Sequence, residues 1–229
     1  MRAQLLIPAA GMGVRLGAEG PKALVDIGGR PMLAVTLSRF AGMGLLEPAV
    51  IVAPAAFFPA FEQALSAHLA PGSWMLVEGG AERQESVACG LAALRADAEI
   101  VVIHDAARPF VPRQAVEESI VEAAAHGGAT VAIPTSDTIL VADERQFLDS
   151  TPERRLLWAC QTPQTFRVEV IRRAHQAAAE GGYLCTDDAT LVRRVGLSVK
   201  LVAGSPANFK VTTPFDLAAA RRIVSEEAV

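Results

Sequence analysis

The sequence predicts a three-layer α/β fold, a mostly parallel sheet covered by helices on both faces, with a β-hairpin arm projecting from it. Three observations carry that expectation. Short β-rich runs alternate with helical patterns along the chain. The runs are apolar throughout instead of alternating with polar residues, which is how strands buried on both faces read. A turn rich in glycine follows the first run at once, at the place where an open sheet collects ligands beyond the carboxyl ends of its strands.

Leu5 to Pro8 is the first strand, and Val50 to Ala53, Trp74 to Glu78, Ile100 to His104 and Ala129 to Ile133 repeat its character. Between them run helices from Met32 to Met43, Phe58 to Leu69, Glu82 to Arg95 and Arg113 to His126. Pro31 stands just ahead of the first helix, where a missing N–H does least harm. Gly127-Gly128 ends the fourth in the usual C-terminal manner. After Pro134 the rhythm changes: Asp137 to Val141, a polar turn Ala142 to Arg145, then Gln146 to Ser150 read as a hairpin, the arm, at about residues 136–155. The chain returns at Leu156 to Phe166, continues through helices near Val168 to Glu180 and Asp187 to Val195, adds a strand Ser198 to Val202 and closes with Pro214 to Val224. Without an internal repeat or long linker, residues 1–229 are expected to form a single domain.

Hydrophobic residues make up 51% and charged residues 20% of the chain, a globular balance that excludes disorder. A net charge of −4 gives no global attraction to nucleic acid or anionic membranes, so any polyanionic ligand must meet a local cluster of cations. Cys89, Cys160 and Cys185 are odd in number and lack metal-ligand spacing, which fits a reducing cytoplasm. The opening apolar run passes directly into the glycine-rich turn and reads as a buried strand, not as a signal peptide. No apolar stretch approaches the roughly 20 residues needed to span a bilayer.

The strongest signal is PAAGMGVRLGAEGPKAL, Pro8 to Leu24. Ala9, Ala10, Gly11 and Gly13 let backbone N–H groups approach phosphate oxygens closely. Arg15 and Lys22 add cations, and Pro21 stiffens the chain before the lysine. A plain glycine-rich turn would have no need of cations at set places. A dinucleotide loop is disfavoured by its spacing, GMGVRLG, and by Ala53-Pro54 where an acidic residue would end the second strand. A Walker loop would need a terminal GK[ST]. What remains is a nucleotide site of another kind.

The loop resembles the signature of nucleotidyltransferases that activate sugars and sugar alcohols. From about Leu5 to Leu217 the chain is similar to one family among them, the 2-C-methyl-D-erythritol 4-phosphate cytidylyltransferases. Beyond the loop the likeness rests on EGGAERQESV, VIHDAARPFV, IPTSDTI, QTPQTF, TDDA and FKVTTPFDL in that order. The resemblance implies a Rossmann-like nucleotidyltransferase fold and transfer of CMP from CTP to 2-C-methyl-D-erythritol 4-phosphate, in the non-mevalonate route to isoprenoid precursors. It implies that Arg15 and Lys22 stabilise the transition state at the α-phosphorus, while Lys210 and Arg154 position the acceptor phosphate. The CTP pocket would use Pro8, Ala9, Ala10, Gly11, Gly13, Gly80, Ser86, Asp105 and Ala106. Acceptor contacts would come from Asp105, Arg108, Thr138, Thr162 and Thr186. Family members are homodimers with interlocked arms, so Thr138 and Arg154 would enter the partner's pocket. One departure stands out: many relatives carry an acidic residue where this chain has Ala81, so base recognition is expected to rest more on backbone groups and Ser86.

The residues themselves support part of this. Asp105 follows an apolar strand and so falls on the ligand edge of the sheet, though an aspartate there also suits a helix cap. Arg108 also reads as a solvated cation, and Lys210, at the edge of a late strand, as an exposed one. His104 and Asp105 are neighbours on a strand and point to opposite faces, which argues against a dyad. His68, His126 and His175 sit on or near helix ends, where surface or capping roles are expected. Ser86 lacks a nucleophile-elbow context and there is no HExxH. A phosphate monoester is already largely a dianion at neutral pH, so positioning and charge neutralisation are the chemistry required, without a general base. The expected cofactor is Mg²⁺, held mainly by CTP phosphates and water with no dedicated protein ligands. Rival readings are a cytidylyltransferase for another polyol phosphate such as ribitol 5-phosphate, a non-catalytic nucleotide-binding regulator, and a nicotinamide oxidoreductase.

Overall fold

A computed structural model describes residues 1–13, 16–17 and 20–227. Its strands are β1 (Ala3–Pro8), β2 (Leu46–Ala53), β3 (Trp74–Glu78), β4 (Ile100–Ile103), β5 (Gly128–Pro134), β6 (Val141–Ala142), β7 (Leu148–Ser150), β8 (Trp158–Arg167) and β9 (Lys200–Ala203). Its helices are α1 (Met32–Ser38), α2 (Phe58–Ser66), α3 (Arg83–Ala92), α4 (Arg113–His126), α5 (Val168–Gly181), α6 (Asp188–Arg194) and α7 (Pro214–Glu227). Seven strands form one sheet in the order β3-β2-β1-β4-β8-β5-β9. All its pairings are parallel except those of β8, which runs antiparallel to both β4 and β5. The α/β class, the mostly parallel sheet and the separate hairpin all agree with the sequence expectation.

Apolar residues on successive positions of one strand feed two different cores, because neighbouring side chains on a strand point to opposite faces. Leu5 and Ile7 pack with Leu33, Phe61 and Val116 of α1, α2 and α4. Leu6 packs with Val87, Ile171 and Leu191 of α3, α5 and α6. α7 joins α1 around Met32, Val35, Val211 and Ala220. Helix α3 approaches the sheet through Gly90, where an added Cβ would lie 2.7 Å from Leu6 Cδ1 and 2.8 Å from Val52 Cγ2. The glycine therefore sets how closely α3 lies against β1 and β2.

The expected boundaries shift where local chemistry intervenes. α1 ends at Ser38 instead of Met43. Beyond it Phe40 N–H and Met43 N–H bond to carbonyls three residues back, and Gly42 takes a left-handed φ of 69°, so the helix tightens and stops. In the arm, β6 and β7 are much shorter than expected. The turn is centred later, on Asp143 to Gln146, because Asp143 Oδ1 accepts from Arg145 N at 2.9 Å and Phe147 N at 2.8 Å. β4 stops at Ile103, leaving His104 and Asp105 on the turn that follows. Lys210 lies in the segment between β9 and α7, not on a strand edge.

The chain leaves β1 outward to β2 and β3, then crosses back to β4 on the other side of β1. A crevice opens beyond the carboxyl ends of strands at such a switch point. Here it lies beyond Pro8 and Ile103.

Candidate active site

The turn after β1 is pinned to the sheet by Ala9 N–H, which bonds to Val52 O at 2.7 Å. It then folds back on itself: Gly13 N–H reaches Gly20 O at 2.9 Å and Lys22 N–H reaches Gly11 O at 3.0 Å. This ribbon brings Lys22 beside the small residues Ala9, Ala10 and Gly11. Together they form one wall of a cleft of about 350 Å³. Arg15 lies outside the described residues.

The second wall is the entry to α3. Glu85 Oε2 accepts from Ala81 N at 2.9 Å and Glu82 N at 3.2 Å, and the Glu82 side chain accepts from the Glu85 backbone in return, a reciprocal cap. Ser86 Oγ donates to Gly80 O at 3.3 Å. The Ala81 N–H is thus committed to Glu85. Gly79 and Gly80 are packed so closely against Ser86 and Glu85 that neither has room for a Cβ.

The floor is Asp105. Its Oδ2 lies 2.8 Å from Lys210 Nζ and 3.7 Å from Arg108 Nε, and its Oδ1 lies 3.8 Å from an Arg83 guanidinium nitrogen. Burial alone would raise its pKa, but the charges of Lys210, Arg83 and Arg108 outweigh it and hold the carboxyl well below the usual range. Asp105 is thus a fixed anion inside a cationic cleft. Its backbone is held as firmly. Asp105 N–H donates to Thr162 Oγ1 at 3.0 Å, the Thr162 hydroxyl lies 3.0 Å from His104 Nδ1, and His104 Nε2 lies 2.9 Å from Arg108 O. Burial pushes His104 down to about 4. The neutral ring then donates to the Arg108 carbonyl and accepts from Thr162, closing the turn that presents Asp105.

Of the residues singled out from the sequence, Pro8, Ala9, Ala10, Gly11, Lys22, Gly80, Ser86, Asp105, Ala106 and Lys210 line this cleft together. Gly13 is buried in the loop ribbon. Arg108 sits behind Asp105, donating to Asn208 O at 2.8 Å and Cys160 O at 3.3 Å, and is not a solvated cation. Thr162 is buried beneath Asp105, and Thr186 is exposed just ahead of α6. Thr138 and Arg154 lie on the arm, where Arg154 reaches Ser136 O at 3.4 Å. His175 is a correction: it is buried in mid-helix and bonded to Asp188, not at a helix end. Arg83, which also lines the cleft, was not singled out from the sequence; its place three residues after Gly80 was the available signal.

A sheet with this switch point, a turn of small residues at the end of β1 and two lysines meeting in one cleft fit a nucleotidyltransferase. The comparisons narrow the class. The family model described as 2-C-methyl-D-erythritol 4-phosphate cytidylyltransferase matches residues 3–226. The chain is 42% identical over 226 residues to the 2-C-methyl-D-erythritol 4-phosphate cytidylyltransferase of Geobacter metallireducens, covering 97% of each chain. It is 41% identical to that of Caldanaerobacter subterraneus, covering 96% of this chain and 97% of the relative. Among solved structures, the Thermus thermophilus enzyme superposes with a TM-score of 0.80 at 34% identity, over 98% of this chain and all of that one. The chain belongs to the 2-C-methyl-D-erythritol 4-phosphate cytidylyltransferase family.

Proposed function

We propose that the protein transfers CMP from CTP to the phosphate of 2-C-methyl-D-erythritol 4-phosphate, giving 4-diphosphocytidyl-2-C-methyl-D-erythritol and pyrophosphate for isoprenoid synthesis. The observation that carries the reading is the meeting of Lys22, Lys210 and Asp105 in one cleft with the Ala9–Gly11 turn. An acceptor oxygen of the phosphate dianion attacks the α-phosphorus of CTP, the bond to the bridging oxygen breaks, and pyrophosphate leaves. No proton has to be removed first. The barrier is repulsion between anions, so the chain contributes position and positive charge. Lys22, with Arg15, would neutralise charge building at the α-phosphate. Lys210 would hold the acceptor phosphate, and the ionised Asp105 would accept from ligand hydroxyl groups.

Among the described residues no three His, Cys, Asp or Glu side chains cluster as a metal cage, and Asp105 is already engaged by three cations. That donor set suits Mg²⁺ carried on the triphosphate and largely hydrated. When bound, the ion would neutralise phosphate charge. Among the described residues no helix is long and apolar enough to cross a membrane, and a cytoplasmic site of action fits the free thiols.

The protein is further proposed to act as a homodimer with shared sites. Leu140, Phe147 and Leu148 of the arm and Leu156 just after it are each more than half exposed, an apolar surface of the kind a partner covers. Thr138 and Arg154 would then complete the neighbour's pocket. The test of the reaction is pyrophosphate release with each of the four NTPs against 2-C-methyl-D-erythritol 4-phosphate and ribitol 5-phosphate. Turnover confined to CTP and the first acceptor is expected, while equal turnover with UTP or ATP, or a preference for ribitol 5-phosphate, would overturn it.

A further inference from the structure

Arg83 is a cation of the cleft held by a carboxylate outside it. Its guanidinium lies 2.8 Å from Asp188 Oδ2 and 3.8 Å from Asp105 Oδ1. Asp188 is 1% exposed and is itself fixed from two sides. Its Oδ1 meets His175 Nε2 at 3.3 Å, and its N–H donates to the buried Gln164 Oε1 at 2.9 Å, which also accepts from Ala189 N at 3.1 Å. A line of alternating charge therefore runs from α6 through Arg83 to the floor of the cleft. We propose that Asp188 is a positioning residue: it holds the Arg83 guanidinium against Asp105 Oδ1, and Arg83 in turn orients the carboxylate that ligand hydroxyl groups meet. Lys210 and Arg108 take the other oxygen, so without Arg83 the carboxylate is drawn to one side only. A buried ionic pair is costly to break from one end, because the remaining charge keeps its burial and loses its partner.

The inference rests on the proposed reaction for its kinetic readout, and CTP binding measured by calorimetry without acceptor gives a second readout that does not. A double-mutant cycle of Arg83→Ala and Asp188→Asn tests it, with thermal melts on every variant. Each single change is expected to lower kcat/KM by about tenfold or more, the scale of a lost hydrogen bond to a charged group. In the Arg83→Ala background, Asp188→Asn should add less than about twofold, because the residue it acts through is gone. Arg83→Lys should recover part of the loss. Equal effects of Asp188→Asn in both backgrounds, or losses that merely follow the folded fraction, would overturn the proposal. If Asp188→Asn does not fold, Arg83→Ala carries the test alone, and wild-type kcat/KM in that folded variant overturns it. An inactive wild type would sink the reaction while leaving the cycle readable in CTP binding.

Discussion

Lys22 and Lys210 reach the same cleft from opposite ends of the chain, one on the turn after β1 and the other beyond β9. Lys22 was legible from sequence because its loop carries a local pattern, small residues followed by spaced cations. Lys210 was legible only through family resemblance, since nothing near it shows that it will meet Asp105. Arg83 illustrates why the remainder was hidden: the carboxylate that places it is 105 residues away, and a contact of that kind leaves no periodic trace. His175 shares the buried face of α5 with Ile171, Ala174 and Ala178, and only its partner Asp188 was hidden in the same way. At this scale Lys22→Ala is expected to lower turnover on the order of 100-fold, the usual loss for a preorganised charge-stabilising group. Steady-state pyrophosphate release checks it, and near-normal turnover in a folded variant would remove Lys22 from the mechanism.

Among elements, α3 and α7 show how single positions fix a helix. Gly90→Ala presses a methyl group into Leu6 and Val52. The expected cost is about 1–3 kcal/mol, the range for overpacking a tight core, and urea melts should show it as a lower midpoint. The start of α7 is closed by Thr213 and Asp216. Asp216 Oδ2 accepts from Thr212 N at 2.8 Å and Thr213 N at 2.7 Å, while Thr213 Oγ1 accepts from Asp216 N at 3.2 Å. Slight burial opposes ionisation, but the hydrogen bonds from Thr212 and Thr213 win and bring the carboxyl down to about 2. Because the folded value lies below the unfolded one of about 3.9, the contribution is complete above the unfolded value. It is lost as pH falls through about 2. Asp216→Asn should therefore destabilise by about 1 kcal/mol near neutrality, the scale of a helix cap. The gap from wild type should narrow toward about pH 3 in paired denaturation curves; a gap that does not change with pH would contradict the cap. The strands were readable because they are apolar on both faces, whereas helix ends such as that of α1 were not, since Gly42 and a tightened last turn decide them.

For the whole molecule, layer order and sheet class followed from alternating runs, but the antiparallel insertion of β8 between β4 and β5 did not. Nothing in an apolar strand records its direction. The shared-site proposal belongs to this scale. If Lys22→Ala and Arg154→Ala subunits are unfolded and refolded together, each mixed dimer should hold one pocket with both defects and one intact, restoring roughly a quarter of wild-type sites under random pairing. No rescue in dimers confirmed by light scattering would place Arg154 in its own pocket or outside the site. The direction of β8 has a consequence of its own. β5 runs parallel to β4 and β8 runs back, so the arm departs from Pro134 and returns at Trp158 on the same rim that presents Asp105. It is an excursion with both feet on one edge. A lineage could trim, lengthen or exchange it without shifting the register of any sheet strand, and the cleft around Asp105, whose lining includes no arm residue, would stay in place.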